Sequence, residues 1–540
     1  MKRYLHILLS LVLIFILENT FYLLNSKTES LLDIFVFFFN KSLFKSICYF
    51  LTFLICIVSI AISPYIRNVY IAVIIGFIIS LSYAVDFSYL NINGRGVTLT
   101  DLTILFSEFQ NYSRHVFSTY SSEIQYGLLV GIGIIIFFYL CRIFTDKRIS
   151  NYFVLVPIFS IILTSAIQVK TAATFSFGLP SPQKVLSYLV YWYPYKPYYG
   201  DREELYVKPE FSKKYTNIIW IIDCSINANY LGINDSTYNT TPFLEKKSNS
   251  YINAGRVASI TNCSSTSNIF LMGMGNKNDL PDHKEKLLRN PSIFTYAKNA
   301  GYKTAYISAS SEGNRLQNYM TYFDLADIDY FFQPNTKEEK DLRYADEILA
   351  DHIKGYLEKN DGSFIYVVKS GAHFPWQLNY PSEQAIYKPC LIGNEGISDA
   401  SYQTILNTYL NSIRWKTDHF FQSLLKDTLI LDNTLMIYTS DHGQLIPSNH
   451  NKQTHCNTRD PDIQEGIVPL LYFSNDLSKV RQPKSMFRFI PVTLDVMGYS
   501  PDVSGIDDAF LDFEKPGFFY GHLFPKHRIH QSGIKEIHLK

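Results

Sequence analysis

Residues 217–225 read NIIWIIDCS, and residues 435–443 read LMIYTSDHG. In each stretch, β-branched or aromatic residues form a short strand-like run that polar residues follow at once. Residues 364–368 (FIYVV) form a run of the same kind, and KSGAH follows it. Such runs alternate with longer helical patterns in the second half of the chain, as a mostly parallel sheet requires. This half therefore predicts an α/β domain.

The ends of these strands are where we expect the chemistry. The predicted strands are Asn217–Ile222, Lys303–Ile307, Phe364–Val368, Leu435–Thr439 and Val468–Phe473, and the helical patterns include Leu342–Glu358 and Ile405–Lys426. In open α/β sheets, ligands bind beyond the C-terminal ends of the strands. The polar clusters 223–225, 369–373 and 440–443 therefore predict one shared crevice.

The first third of the chain is a different kind of sequence. It holds five apolar runs of membrane-spanning length: Tyr4–Leu24, Ile47–Pro64, Val69–Leu90, Gln125–Phe144 and Tyr152–Val169. The first run carries Glu18 and lacks a small-x-small cleavage site, which favours a span over a signal peptide. We expect a five-helix transmembrane domain over residues 1–170, a linker over 171–209 and an outer domain over 210–540.

The charges give the orientation and exclude some functions. Residues 1–3, 65–68 and 142–151 hold six Lys or Arg, whereas the longer pieces 26–46 and 91–124 hold five. This bias predicts a cytoplasmic N-terminus, and five spans then place the second half outside. The whole chain has 49 Lys+Arg against 48 Asp+Glu and 47% apolar residues, which excludes a basic nucleic-acid binder and a disordered chain.

Two acidic residues lie within the apolar runs, Glu18 and Asp86. Both fall near predicted outer ends of spans. We therefore expect their side chains to reach toward water rather than to act in transport.

Two further patterns indicate a metal and an anion. Asp441 and His442 directly follow a strand, and a carboxylate beside an imidazole suits zinc or manganese. His455 lies in a polar loop and could close on the same metal. The segment 261–268 (TNCSSTSN) places several hydroxyls ahead of a helical pattern, which suits helix capping, anion binding or a nucleophile.

Five motifs in order give the chain a resemblance to a known family. They are DCSINANYLGIND at 223–235, TTPFLE at 240–245, NCSSTSN at 262–268, SGAHFPWQLNYP at 370–381 and TSDHGQ at 439–444. With the five spans, the chain resembles the membrane phosphoethanolamine transferases of the alkaline-phosphatase/sulfatase-like superfamily. The resemblance implies a helical transmembrane domain followed by a sulfatase-like α/β domain with a mostly parallel central sheet.

The resemblance also implies a zinc site. Asp441 and His442 match the family's Asp-His pair, and His455 best matches its later histidine, with His450 as its rival. The family's glutamate falls on Cys224, whereas the adjacent carboxylate is Asp223, and both remain open as ligands. One Zn²⁺ is expected. A second zinc is less expected, because Val368 stands where the family has another histidine.

The catalytic residues follow from the same matching. The family's nucleophile falls on Ser265, a one-residue slip would select Ser264, and Thr266 is third. His373 matches a histidine that faces the substrate phosphate or a second metal. We expect Lys369 and Thr266 to contribute to substrate binding.

The implied reaction transfers phosphoethanolamine from phosphatidylethanolamine, through a covalent phospho-Ser, to a glycolipid or glycan, as in lipopolysaccharide modification. The expected protein is a monomer in the bacterial inner membrane, with its catalytic domain in the periplasm and no nucleic-acid partner. Alternatives are a phosphoglycerol transferase, a phosphodiesterase, or a catalytically degenerate membrane protein that binds a glycan or lipid. A sulfatase activity is disfavoured, because neither Pro nor Arg follows Cys263 at the offsets that the sulfatase motif needs.

Four cysteines lie in the outer domain: Cys224, Cys263, Cys390 and Cys456. An oxidising compartment permits disulfides, and a bridge between Cys390 and Cys456 is conceivable. The family's bridge near the nucleophile lacks its second cysteine after Cys263. Sequence alone does not choose among the three full pairings of four cysteines.

Overall fold

A computed structural model of the chain shows a helical membrane half and an α/β outer half. It describes residues 5–25, 42–93, 120–146, 148–170, 179–192, 198–276, 284–310, 316–334, 342–393, 400–426, 428–447, 454–456, 461–479, 486–500, 517–520 and 534–537, with short pieces between some of these ranges.

The membrane half contains a helix at each of the five predicted positions. These helices are α1 (Leu5–Asn25), α2 (Leu43–Ile62), α3 (Val69–Asn93), α4 (Ser121–Ile143) and α5 (Leu155–Lys170). Within the described residues, four stretches are long and apolar enough to cross a membrane: Leu43–Tyr65, Val69–Ile92, Ser121–Ile143 and Asn151–Lys170. The apolar stretch of α1, His6–Thr20, is shorter than these four. Five spans therefore remain a prediction, whereas four helices have the required length and composition.

A sixth helix lies in the predicted linker. Helix α6 (Ser181–Trp192) packs against α3 and α5. Its polar residues Gln183, Lys184 and Ser187 are buried. The sequence predicts a linker over residues 171–209, but the buried polar side chains make α6 part of the membrane half's packing.

Contacts between the helices of this half overturn the expectation for the two acidic residues of the spans. Asp86 is completely buried, and its carboxylate pairs with Lys184 Nζ at 2.5 Å. Glu18 is 1% exposed and accepts a hydrogen bond from the Tyr83 hydroxyl at 2.5 Å. Both carboxylates thus find protein partners instead of water, as charged groups within a helical bundle must.

The outer half is built on a seven-stranded mixed sheet. Its strands are β1 (Asn217–Asp223), β2 (Tyr251–Ala258), β3 (Lys303–Ser308), β4 (Tyr330–Phe332), β5 (Ser363–Val368), β6 (Thr434–Ser440) and β7 (Ile467–Phe473). Their order is β2-β7-β6-β1-β5-β3-β4. Only the β2–β7 and β6–β7 pairs are antiparallel. All five predicted strands are confirmed, while β2 and β4 were missed, and a separate hairpin joins Gly517–Tyr520 to Ile534–Ile537.

Apolar clusters cover both faces of this sheet. Along β1, Ile218, Trp220 and Ile222 enter one cluster, whereas Ile219 and Ile221 enter the other. The α-helices of this half are α7 (Pro242–Lys246), α8 (Ser264–Met272), α9 (Lys286–Arg289), α10 (Ile293–Asn299), α11 (Ala345–Leu357), α12 (Tyr402–Ile413), α13 (Phe420–Leu424) and α14 (Phe489–Val496). A π-helical turn, Arg414–His419, joins α12 to α13. The central strands are therefore buried on both sides, and only their ends are free to form a site.

Candidate active site and metal centre

The three predicted polar clusters come together because their strands are neighbours. Strands β6, β1 and β5 are adjacent and parallel, and they end at Ser440, Asp223 and Val368. The segments that follow therefore leave the same edge of the sheet. Backbone hydrogen bonds tie them together, from Asp441 N to the Asp223 carbonyl at 2.9 Å and from Ala372 N to the Cys224 carbonyl at 3.0 Å.

Three buried side chains at this edge form a compact donor set. The Cys224 sulfur, an Asp441 carboxylate oxygen and a His442 ring nitrogen all lie within 4.8 Å of one another. The amides of His442 and Ser225 donate to Asp441 Oδ1 at 2.7 and 3.2 Å. Asp441 is therefore held in place by the backbone of the two neighbouring strand ends.

The orientation of His442 leaves one ring nitrogen facing the donor set. Its Nδ1 lies 2.7 Å from the Gly443 carbonyl, an acceptor, so this nitrogen carries the proton. Its Nε2 then keeps a lone pair, and it lies 3.6 Å from Asp441 Oδ1. A backbone carbonyl that fixes the tautomer in this way is a common support for a metal-binding histidine.

Asp223 does not join this donor set. Successive residues of a strand point to opposite sides, and the Asp223 carboxylate accepts from Lys369 Nζ at 2.5 Å and the Tyr438 hydroxyl at 2.9 Å. Between the two ligands that the sequence left open, the structure thus places Cys224 with Asp441 and His442. Asp223 belongs to a different, fully buried set of charges.

The hydroxyl nearest the donor set belongs to Ser264 rather than to Ser265. Ser264 Oγ lies 3.2 Å from His442 Nε2 and 3.7 Å from the Cys224 sulfur. Ser264 is the first residue of α8, which starts earlier than the helical pattern predicted. Because side chains rotate by about 100° per helical residue, a one-residue difference decides which serine faces the centre.

Two predicted substrate-binding residues are turned away from it. The Thr266 hydroxyl lies 2.7 Å from Thr261 Oγ1, and it donates to the Cys263 carbonyl at 3.2 Å. Lys369 is completely buried, and it donates to the Asp223 carboxylate and to the Lys416 carbonyl, both at 2.5 Å. Both polar groups are satisfied inside the protein, so neither placement fits substrate binding.

Two further histidines border the donor set. The His455 ring stacks on His442 with centroids 4.3 Å apart, and His373 meets His455 edge-on at 6.1 Å. His455 is not a member of the compact group of three donors. Burial, followed by the electrostatic influence of the neighbouring His442 and His373, lowers the pKa of His455 well below its usual range. His450, its rival in the sequence, lies outside the described residues.

A disulfide closes this side of the site. It joins Cys263 to Cys456, while Cys390 is free. The conceivable Cys390–Cys456 bridge is therefore wrong. Ser264 directly follows Cys263, and His455 directly precedes Cys456. The bridge therefore holds the hydroxyl-bearing helix beside the histidine pair.

The chemistry of the donor set fits a metal ion. A thiolate, a carboxylate and an imidazole are all zinc ligands, and three protein ligands leave a position for a reacting group. Burial, followed by the nearby Asp441, raises the pKa of the Cys224 thiol well above its usual range. A thiol in such surroundings becomes a thiolate when a cation binds it.

Sequence reasoning missed two charged residues behind this site. Asp346 on α11 and Lys416 on the π-helical turn are buried. Asp346 lies within 4 Å of both Lys369 and Lys416. Neither follows a strand or lies in a motif, so no local pattern singles them out.

Comparisons with known proteins agree with this architecture. A sequence model described as Sulfatase matches residues 216–499. The chain is 22% identical over 204 residues to the phosphoethanolamine transferases EptC of two Escherichia coli strains, O18:K1:H7 (RS218 / NMEC) and K12. Each match covers 36% of this chain and 34% of the relative. The matched region thus spans about a third of the length of these curated relatives.

One solved structure matches both halves of the chain. It is the integral membrane protein lipooligosaccharide phosphoethanolamine transferase A (EptA) of Neisseria meningitidis, with a TM-score of 0.61 and 15% identity. The match covers 91% of this chain and 97% of that protein. A helical membrane domain followed by a sulfatase-like domain is therefore the fold of the whole chain.

Proposed function

Because this chain belongs to the sulfatase family, we propose that it is a membrane phosphoethanolamine transferase with Ser264 as its nucleophile. The observation that carries the proposal is the Ser264 hydroxyl, which lies 3.2 Å from His442 Nε2 and 3.7 Å from the Cys224 sulfur. The relatives matched above bear the same activity in their names, and the serine replaces the predicted Ser265.

In the proposed reaction, the Ser264 oxygen attacks the phosphorus of phosphatidylethanolamine. A bond forms between this oxygen and phosphorus while the bond from phosphorus to the diacylglycerol oxygen breaks. The serine proton ends on the departing diacylglycerol, and phosphoethanolamine remains on Ser264. An acceptor hydroxyl then displaces the serine from phosphorus, and the proton of the acceptor returns to Ser264.

Cys224, Asp441 and His442 would hold one zinc ion, and His455, stacked on His442, would lie beside this set. When bound, zinc lowers the pKa of a hydroxyl group and offsets charge on phosphate oxygens. Ser264 begins helix α8, where free backbone N–H groups favour an anionic phosphate. His373, with Nδ1 lying 2.7 Å from the Phe374 carbonyl, turns its other nitrogen to the substrate side in this proposal.

The membrane half fits the proposed donor. A phospholipid presents its phosphate at the membrane surface, so a transferase with membrane-spanning helices meets its substrate there. We infer an inner-membrane protein whose catalytic domain faces the periplasm and whose acceptor is a glycolipid or glycan. The disulfide Cys263–Cys456 is in keeping with an oxidising compartment.

Trapping the covalent intermediate tests the proposal. Purified full-length protein is incubated with phosphatidylethanolamine, quenched in acid and digested for peptide mass spectrometry. We expect the peptide containing residues 262–268 to gain one phosphoethanolamine group on Ser264, to lose this gain in Ser264→Ala and to keep it in Ser265→Ala. A gain of phosphoglycerol from phosphatidylglycerol instead, or modification of Ser265, would reject the proposal in its stated form.

Metal analysis separates an enzyme from a degenerate binding protein. We expect about one zinc per chain in the purified protein, lost in Asp441→Ala and retained in Asp495→Asn, which changes a partly exposed carboxylate of the same domain. Protein that binds no zinc at micromolar concentrations would favour a non-catalytic membrane protein that keeps the sulfatase fold.

A further inference from the structure

Behind the candidate metal centre lies a set of four buried charges, which we call the ion network. It consists of Asp223, Lys369, Asp346 and Lys416, whose side chains are at most 2% exposed. Lys369 Nζ lies 2.5 Å from Asp223 and 3.9 Å from Asp346, and Lys416 Nζ lies 3.8 Å from Asp346. Two acids and two bases balance, so the set carries no net charge.

One end of the network is joined to the metal-binding thiol. Asp223 Oδ1 accepts a hydrogen bond from the Cys224 amide at 2.9 Å, while Oδ2 accepts from Lys369. Because neighbouring strand residues point to opposite sides, fixing Asp223 toward Lys369 also fixes the direction of the Cys224 sulfur. The ion pair thus sets which of the two residues faces Asp441 and His442.

The other end is joined to the segment that leads to His373. Asp346 accepts from the amides of Ser370 and Gly371 at 2.8 and 3.1 Å. Lys416 Nζ donates to the Ser370 hydroxyl at 2.8 Å. Although burial opposes ionisation, Lys416, Lys369 and these amides hold the pKa of Asp346 below its usual range, so its charge is available to grip the segment.

The segment that leads to His373 passes so close to Asp223 and Cys224 that residue 371 has no room for a side chain. Gly371 has φ +55°, and a Cβ at this position would lie 2.4 Å from both Asp223 Oδ1 and the Cys224 carbonyl oxygen. The π-helical turn contributes as well, since its Lys416 carbonyl accepts from Lys369 Nζ at 2.5 Å. π-Helical turns are rare and are frequently found at functional sites.

Stability alone does not require these charges. A buried ion pair can often be replaced by apolar residues of similar volume without loss of stability, whereas removal of one partner is strongly destabilising. What a hydrogen-bonded set of buried charges does supply is a fixed orientation of the groups that it contacts. We infer that Asp223, Lys369, Asp346 and Lys416 are positioning residues, which hold the Cys224 thiol and the His373 segment in the geometry that the metal centre needs. The inference rests on the proposed function for its metal.

Removal of the whole central pair separates positioning from folding. The test variant is Asp223→Leu combined with Lys369→Met in the full-length protein, and its matched control is Lys214→Met combined with Asp495→Asn, which removes a partly exposed pair in the same domain. Thermal unfolding is measured for each, together with Co²⁺ titration followed by absorption, because thiolate coordination gives cobalt a distinct near-ultraviolet band.

We expect the test variant to unfold close to the wild-type temperature, to bind Co²⁺ about tenfold or more weakly and to have an altered cobalt spectrum. The control should match wild type in both measurements. A test variant that folds and keeps the wild-type cobalt affinity and spectrum would overturn the inference. If it does not fold, Asp223→Asn with Lys369→Met is judged by the same criteria.

A second measurement does not depend on the metal. Alkylation of Cys224 by iodoacetamide is followed by peptide mass spectrometry in metal-free protein, where the other free cysteines serve as internal references. We expect Cys224 to react at least about tenfold faster in the test variant, because its strand end is no longer held. Unchanged protection would overturn the inference, whereas a wild-type protein that binds no Co²⁺ would count against the proposed metal only.

Discussion

A short, buried lysine–aspartate pair lies in each half of the molecule. Asp86 and Lys184 meet at 2.5 Å in the membrane half, and Asp223 and Lys369 meet at 2.5 Å in the outer half. Distance and burial do not distinguish them. Their neighbours do, since Asp86 also accepts from the Ser181 hydroxyl and the Val97 amide, whereas Asp223 also accepts from the Cys224 amide at the strand-end site.

The difference teaches how to assign a role to a buried charge. The membrane pair fastens one helix to another, so its expected role is assembly. The outer pair touches the backbone of Cys224 and connects to the segment before His373, so its expected role is the geometry of the site. The destination of the remaining hydrogen bonds is therefore more informative than the ion pair itself.

The largest expected effect comes from the proposed nucleophile in the outer half. Ser264→Ala should lower phosphoethanolamine transfer by at least about 10³-fold, because it removes the attacking oxygen. Transfer is measured with labelled phosphatidylethanolamine in detergent micelles. Ser265→Ala is the matched control, and its transfer rate should stay within about threefold of wild type. Equal losses in the two variants would contradict the assignment of Ser264 as the nucleophile.

The next effect concerns assembly of the membrane half. Lys184→Met leaves Asp86 buried without its cation and should reduce the free energy of unfolding by about 3–5 kcal/mol. Thermal unfolding in detergent measures this, with Asp86→Leu added to Lys184→Met as the compensating variant. We expect the double variant to recover most of the stability, and both variants to keep the wild-type cobalt spectrum. A changed cobalt spectrum would mean that the membrane pair also affects the site, which would contradict the different roles expected of the two pairs.

A third buried carboxylate sharpens the contrast because amides hold it. Asp418 accepts from the amides of Phe243 and Leu244 at 2.9–3.0 Å, and burial raises its pKa to about 6. Since the native pKa exceeds the usual 3.8, the folded state retains the proton longer than the unfolded state. Its contribution to stability is present below pH 4 and is lost as the pH rises through 6, by about 3 kcal/mol in all.

Urea unfolding at pH 4 to 7 measures this dependence. Other groups also titrate in that range, so the informative quantity is the difference from Asp418→Asn, which cannot ionise. We expect the variant to lose less stability than wild type between pH 4 and 7. Parallel curves for the two proteins would mean that Asp418 stays ionised throughout, despite the opposing influence of burial.

The smallest effect belongs to a lysine–aspartate pair at the surface. Lys214 and Asp495 lie 2.6 Å apart, with side chains 34% and 24% exposed. Because water screens such a pair, Lys214→Met should cost at most about 1 kcal/mol, and high salt should lessen the difference. Thermal unfolding at two salt concentrations checks this. A loss of stability as large as that of Lys184→Met would show that burial does not determine how much such a pair contributes.

The sequence predicted the central sheet well because most of its predicted strands are nearly continuous runs of apolar residues. Strand β2 was missed because Asn253, Gly255 and Arg256 interrupt its apolar residues, and its pairing shifts register between Asn253 and Arg256. Helix α6 was missed because its polar residues are paired with distant helices, as Gln183 is with Ser59 and Ser160. Those contacts do not leave a local pattern.

At the site, the sequence identified the segments but not always the residue. Every residue of β1 after Asn217 is buried, so its alternation is hidden and does not tell whether Asp223 or Cys224 faces the site. Likewise, a hydroxyl run does not mark the first residue of α8, and this start decides between Ser264 and Ser265. Lys369 looked like a phosphate ligand because its partners, Asp223 and the Lys416 carbonyl, are far away in sequence.

The pairing of α3 with α6 also orders events during biosynthesis. Ser181 lies 95 residues after Asp86, and Lys184 follows three residues later, so at about 5–20 residues per second the ribosome delivers these partners several seconds after α3 has emerged. During that interval, Asp86 is a lone acid on a nascent hydrophobic helix. We expect ribosomes stalled before residue 181 to present a membrane half that quality-control proteases degrade faster than one stalled beyond residue 192, which pulse–chase labelling would measure.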